Sequence, residues 1–232
     1  MMVKGMASLN FRANRSLGAQ IDMFEYRANL RQRYNHPNVV VAVSLDLGEG
    51  FDWILSYFEE AVAGGASFHE NQLVQVGWMM VMLRPCEQGD LEVWEPRLDS
   101  MPINWTRGAT STIRHLLLQR EVCAQLGVEP VFPTLRQSGV VSEHFFDSQE
   151  FCMERDVPQN ETDSGWIFKD TNPEGGRHCS LFEIVVSRSE VLPFLALPAG
   201  VSVTYGKSVV NVTYGERSVS SASNVFLARL VK

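Results

Sequence analysis

Three groupings of residues in this chain are of types that could do chemistry. Between Glu143 and Asp163 seven carboxylates stand against one cation, Arg155, a local balance of −6. Clustered carboxylates can hold a divalent cation or divide acid and base roles between them. His178 adjoins Cys179, the pair of types from which a thiol nucleophile and its base are built. Ser164 lies in an Asp-Ser-Gly run. None of the three has the spacing its chemistry requires. A calcium loop alternates oxygen ligands around a glycine, and no Asp-x-Asp-x-Asp-Gly run occurs. A glycosidase needs two carboxylates facing each other across a cleft. Adjacent Cys and His make a dyad only where the fold bends them together. Ser164 lacks the Gly-x-Ser-x-Gly elbow, and no glycine-rich phosphate loop is present. The five histidines form no close metal pair, and Cys86, Cys123, Cys152 and Cys179 form no Cys-x-x-Cys. The residues therefore point to no catalytic group, no metal and no cofactor, and to free thiols in a reducing compartment.

What remains is the segment from Glu161 to Phe168, with Asp163-Ser164-Gly165-Trp166 at its centre. Two readings stay open. Asp163 and Ser164 can bond their own backbone and Gly165 permits φ > 0, so the segment can be a tight turn. Alternatively that turn presents a recognition surface. In the second reading Glu154, Asp156, Glu161 and Asp163 steer a basic partner, Ser164 and Gly165 shape the turn, and Trp166 is the aromatic anchor that becomes buried on docking.

Charge narrows the partner. The net charge of −7 disfavours a nucleic-acid binder built on phosphate contacts. No run approaches the roughly 18 apolar residues of a membrane span, and the first residues lack an apolar secretory core. A cytoplasmic protein with a protein partner is the expectation. The first 35 residues are locally basic, with Lys4, Arg12, Arg15, Arg27, Arg31 and Arg33 against Asp22 and Glu25.

The elements that must position these residues read as α+β, with mixed or antiparallel sheets and several packed helices, divisible into two subdomains. A helix is predicted over 19–34, ended by His36-Pro37-Asn38. Val39–Val43 reads as a buried strand. Trp53 to Val62 has helical periodicity and stops at Gly64-Gly65. Leu73 to Leu83 is predicted as one long apolar strand, turning at Glu87–Asp90 into Leu91–Trp94. The four tryptophans Trp53, Trp78, Trp94 and Trp105 sit among apolar residues and read as core. A long helix from Ser111 to Leu126 is capped by Thr110 or Ser111 and closed by Gly127. Ser138 to Phe146 reads as a strand, and Ser187 with Glu190 has capping-box spacing before a short helix. Val201–Gly206 is echoed by Val210–Gly215, as two strands of a hairpin would be. The expected organisation is an N-terminal α+β region over 1–135, a domain over 136–206 and a final strand or tail over 207–232.

The stretch from Ser138 to about Tyr205 also resembles a bacterial domain found among polymorphic-toxin immunity proteins. The resemblance rests on the acidic lead-in Glu154–Thr162, the Asp163-Ser164-Gly165-Trp166 core with Phe168, the segment Leu181–Leu195, and Leu197-Pro198-Ala199-Gly200. It implies an immunity protein that neutralises a toxin or secreted effector by stoichiometric occlusion rather than by catalysis. The alternatives are a hydrolase using the carboxylates or Cys179 and His178, and a scaffold or self-association module.

Overall fold

A computed structural model describes residues 23–206 and 208–231. Lys4, Arg12 and Arg15 of the basic N-terminal stretch lie outside them, as does the start of the helix expected over 19–34. The described part of that segment is not one helix. Met23–Ala28 is a strand (β1), and only Leu30–Tyr34 is helical (α1). The strand exists because β1 pairs antiparallel with β2 (Val39–Ser44), Tyr26 opposite Val41. Edge pairing onto a strand whose first five residues are all buried outweighs a weak helical periodicity.

The remaining elements are α2 (Trp53–Ala63), β3 (Leu73–Val76), β4 (Met79–Pro85), β5 (Leu91–Pro96), β6 (Trp105–Arg107), α3 (Thr110–Leu126), β7 (Ser138–Val141), β8 (Phe151–Arg155), β9 (Asp163–Asp170), β10 (Arg177–Ser180), α4 (Leu181–Ser187), β11 (Val201–Gly206), β12 (Val209–Tyr214), β13 (Arg217–Ser220) and α5 (Val225–Ala228). One sheet runs β1-β2-β5-β4-β3 with β6 beside β5, and the other runs β10-β7-β9-β8-β11-β12-β13. Each is mixed: β2 pairs with β5, and β7 with β9, in parallel, while neighbours such as β4–β5 and β8–β9 are antiparallel. The fold is α+β. Among the described residues no helix is long and apolar enough to cross a membrane.

The described residues divide into two compact units, those within 23–73, 82–94 and 107–110 in the first and those within 74–81, 95–106 and 111–231 in the second. In the first unit α2 buries Ile54, Leu55, Phe58 and Val62, and stops at Gly64 as the Gly-Gly signal requires. Trp53, by contrast, is 40% exposed and is no core residue. His36 is a satisfied interior histidine: its Nε2 accepts from the Phe68 N–H at 2.8 Å and its Nδ1 donates to the Pro37 carbonyl. Asp90, almost wholly buried, is held by Arg27 and Arg31.

The long strand expected over 73–83 is broken by a tight turn at Gly77-Trp78, where Gly77 has φ 62°. A Cβ on Gly77 would lie 3.0 Å from Leu116 Cδ1, so the site is both left-handed and crowded. In the second unit α3 follows its predicted span, and Gly127 (φ 67°) closes it. At its start buried Glu95 accepts from the Ser111 and Thr112 N–H groups at 3.0 and 2.7 Å, putting a carboxylate at the positive end of a 17-residue helix. The Ser187–Glu190 capping box is not formed. Ser187 ends α4, whose true cap is Ser180, accepting from the Glu183 N–H at 3.1 Å.

The hairpin expected from the repeated segment is β11–β12, with Val203 opposite Val212, and β13 extends it from Tyr214–Arg217 to Asn211–Ser220. Phe151, Met153, Phe168, Val203 and Val212 point from the sheet into one core with Ile184 and Val185 of α4 and Val122 of α3. The opposite face of the same sheet carries Cys152, Glu154, Lys169, Ser202, Thr204 and Asn211, all partly or fully exposed. The strand expected over 138–146 is only four residues, β7; beyond Val141 the chain turns, with Phe145 buried in the core.

Candidate partner-binding site

The Asp-Ser-Gly-Trp segment is neither a free turn nor a presented surface; it is a bulge at the start of β9. The parallel register with β7 pairs Ser138 with Asp163 and Val140 with Ile167, so two extra residues of β9 are accommodated between those points. Each residue has a part in that distortion. Asp163 accepts from its neighbours' backbone, the Gly165 N–H and the Gln159 N–H, both at 2.8 Å. Ser164 is fully buried, donates to the Ser138 carbonyl at 2.8 Å and accepts from the Trp166 N–H. Gly165 has φ 76°, and a Cβ there would lie 2.1 Å from the Asp156 carbonyl oxygen. Only glycine fits both the backbone conformation and that approach.

Trp166 is fully buried, and its indole N–H donates to the Leu195 carbonyl at 3.1 Å. The expectation that Trp166 stands outward as an anchor is therefore corrected: the ring is core, because bulge geometry turns it inward beside Phe168. Ser164 and Gly165 are likewise interior and offer a partner nothing.

Arg155, cross-strand partner of Trp166, is buried, and among the described residues its hydrogen bonds go to backbone carbonyls. Its Nε donates to the Ser164 carbonyl, and its Nη1 to those of Val131, Leu197 and, at 3.4 Å, Leu195. Burial pulls its pKa down to about 10, which still leaves it charged at neutral pH. The Gly200 N–H, in the Pro-x-Gly turn, bonds the Arg155 carbonyl at 2.6 Å. The parts of the resemblance that lie far apart in sequence (Arg155, Asp163–Trp166 and Leu195–Gly200) thus meet around one guanidinium. Sequence reasoning treated Arg155 only as the lone base in an acidic run. Its position on the inward phase of β8, between Met153 and the bulge, was the signal that could have found it.

The carboxylates do not form one cluster. Glu143, Asp147 and Glu150 precede β8, Glu154 lies on its outward face, and Asp156 and Glu161 follow it in the loop to β9. Glu154 is paired with Lys169 across the strands. Asp156 and Glu161 are exposed, in a loop whose Val157 is 69% exposed. Among the described residues no group of three or more His, Cys, Asp or Glu is placed to hold a metal ion.

His178 and Cys179 are adjacent on β10, so their side chains take opposite faces, His178 exposed and Cys179 buried. Burial, reinforced by the nearby Glu183, pushes the Cys179 thiol up from its ordinary value. A nucleophilic cysteine needs the opposite shift, so the two residues are not a dyad.

Pocket geometry singles out one other place on this unit. At the end of the sheet a cavity of about 320 Å³ is lined by Glu150, Cys152, Asp170, Thr204 and Asn211, among others. Asp170 accepts from Ser142 Oγ at 2.8 Å and from the His144 and Asn172 N–H groups. The hydroxyl bond first, and those N–H bonds, hold its carboxyl below the usual carboxylate range.

Neither a curated protein nor a solved structure matches the chain. Residues 118–214 match the family model described as the Imm33-like domain. The matched segment begins inside α3 and runs through β12, so it contains the bulge, the Arg155 hub and the Pro-x-Gly turn. Over residues 118–214, less than half of the chain, the protein is thus similar to the Imm33-like domain, and this supports an immunity-protein family.

Proposed function

We propose that the chain is an immunity protein that neutralises a protein toxin or secreted effector in the cytoplasm, binding it one to one and covering its active site or substrate path. The Imm33-like match over residues 118–214 is the observation that carries this reading. The contact surface we assign is acidic. Asp156 and Glu161 lie in an exposed loop with Val157, and Glu154 and Asp163 border it. The bulge and the Arg155 hub pin both ends of that loop, so little conformational entropy is lost when it docks. The carboxylates steer a basic toxin surface and raise its association rate. Val157, rather than Trp166, is the apolar residue available for contact.

The test starts from the genes that flank this one: the product of a flanking toxin or secreted-effector gene is purified. Mixing purified protein with that toxin should abolish toxin activity at a one-to-one ratio, with a complex of that stoichiometry by light scattering. Undiminished toxin activity at a large excess of the protein would count against the proposal.

A further inference from the structure

The outward face of α2, in the first unit, carries side chains that the core does not use. Ile54, Leu55, Phe58 and Val62 are its buried side, with Phe58 packed edge-on against Phe68. On the other side Trp53 is 40% exposed and Tyr57 50% exposed. Residues four apart share one side of a helix, and Glu60, three further on, continues the row. At about 1.5 Å per residue the row from Trp53 to Glu60 is about 10 Å long. The charge around it has one sign. No lysine or arginine occurs between Arg33 and Arg84. Glu49, Asp52 and Glu60 are exposed, and Glu59 is partly so. Helix stability accounts for only two of these acids. Glu49 and Asp52 precede the helix, where its dipole favours negative charge. Glu59 and Glu60 lie near its C-terminus, where the dipole opposes them, and no base stands in the last turn.

We propose that this face docks a basic segment of a protein partner, with arginine or lysine side chains lying on the Trp53 and Tyr57 rings and their charged ends answered by the flanking carboxylates. A ring face attracts a cation through its quadrupole, and a planar guanidinium also stacks on it. Trp and Tyr offer large, rigid contact area, as interface anchors do. The same negative charge disfavours a nucleic acid or an anionic membrane surface. Among the described residues no group of carboxylates is placed to hold a metal ion. The proposal goes beyond the immunity reading: α2 lies outside residues 118–214, and the docking chemistry requires only a basic partner.

The probe is acetyl-Gly-Arg-Gly-Gly-Arg-Gly-amide, whose arginines stand about 10 Å apart when extended, the length of the row. It is titrated into the full-length protein and followed by NMR of the backbone amides and the Trp53 indole. The same peptide with citrulline for arginine is the neutral isostere. The arginine peptide should shift the signals of Trp53, Tyr57 and Glu60, and the citrulline peptide should not. Glu59→Gln with Glu60→Gln should weaken binding about fivefold. Trp53→Ala should weaken it at least as much while signal dispersion shows the fold intact, and Trp53→Phe, which keeps a ring, should retain most of it. Equal shifts with both peptides, or no shift at these residues, would overturn the proposal. So would a dimer by light scattering that Trp53→Ala converts to monomer, because a second copy would then cover the face.

Discussion

Arg155 and Trp166 face each other across β8 and β9, the guanidinium carbon 5.6 Å from the indole centroid, and both donate to the carbonyl of Leu195. A buried cation is tolerated there because carbonyl oxygens replace its hydration and the ring face offers favourable electrostatics. Removing the cation strands those carbonyls. Arg155→Ala should cost about 3–5 kcal/mol in urea denaturation, the range for breaking a buried charged hydrogen-bond set. Arg155→Lys should recover little of it, because an ammonium cannot span acceptors arranged around a planar fork. Trp166→Phe, losing the N–H to Leu195 but keeping most of the packing, should cost about 1–2 kcal/mol.

Gly165 tests the motif as architecture. Gly165→Ala forces a Cβ against the Asp156 carbonyl in a left-handed backbone, and about 2–4 kcal/mol of destabilisation is expected. Asp163→Ala, which deprives two backbone N–H groups of their acceptor, should cost about 1–2 kcal/mol. Toxin affinity of the remaining folded Gly165→Ala protein, measured by calorimetry after correction for folded fraction, should stay close to wild type. A large loss of affinity without loss of stability would return the glycine to the contact surface.

Charge reversal separates steering from folding. Asp156 and Glu161 are exposed, so Asp156→Lys with Glu161→Lys should change stability by less than about 0.5 kcal/mol. The same pair should slow association with the toxin about tenfold at low salt, with the difference shrinking as salt rises. Stopped-flow association at two ionic strengths distinguishes this from a change in dissociation.

Acid sensitivity has a defined source in the second unit. Burial, with the charge of Arg114 adding to it, holds the His115 imidazole down to about 4. On acidification the unfolded chain takes up that proton first. Stability is therefore full above about pH 6.5, falls as pH drops toward about 4, and loses nothing further from this group below that. The expected loss is about 2 kcal/mol, read as the difference in unfolding free energy between pH 7 and pH 4.5. His115→Gln should flatten the pH profile. Asp170, held below its ordinary value, contributes stability above the unfolded carboxylate range that disappears only at still lower pH.

The cysteines should be slow to react. Burial pushes the Cys123 thiol up to about 11 and raises Cys86, Cys152 and Cys179 as well. Iodoacetamide at pH 8 should label the native protein far more slowly than the urea-unfolded chain, with Cys123 last. Fast native labelling of Cys179 would revive it as a candidate nucleophile.

Local signals were enough wherever one stretch of chain carries its own information. The buried β2, the helices α2 and α3 with their glycine stops, and the β11–β12 hairpin follow from residue types, periodicity and turn chemistry alone. So does the α+β class. Other features depend on partners remote in sequence. β1 is a strand because β2 lies beside it, α3 is capped by Glu95 from β5, and the acids before and after β8 are parted by the length of that strand. Asp163-Ser164-Gly165-Trp166 was visible as a special segment, but its four residues are equally suited to display or to a bulge. The direction Trp166 points is set by the register of β9 between β7 and β8 and by the Leu195 carbonyl. Those are long-range hydrogen bonds and packing, which a local reading of residue types does not contain.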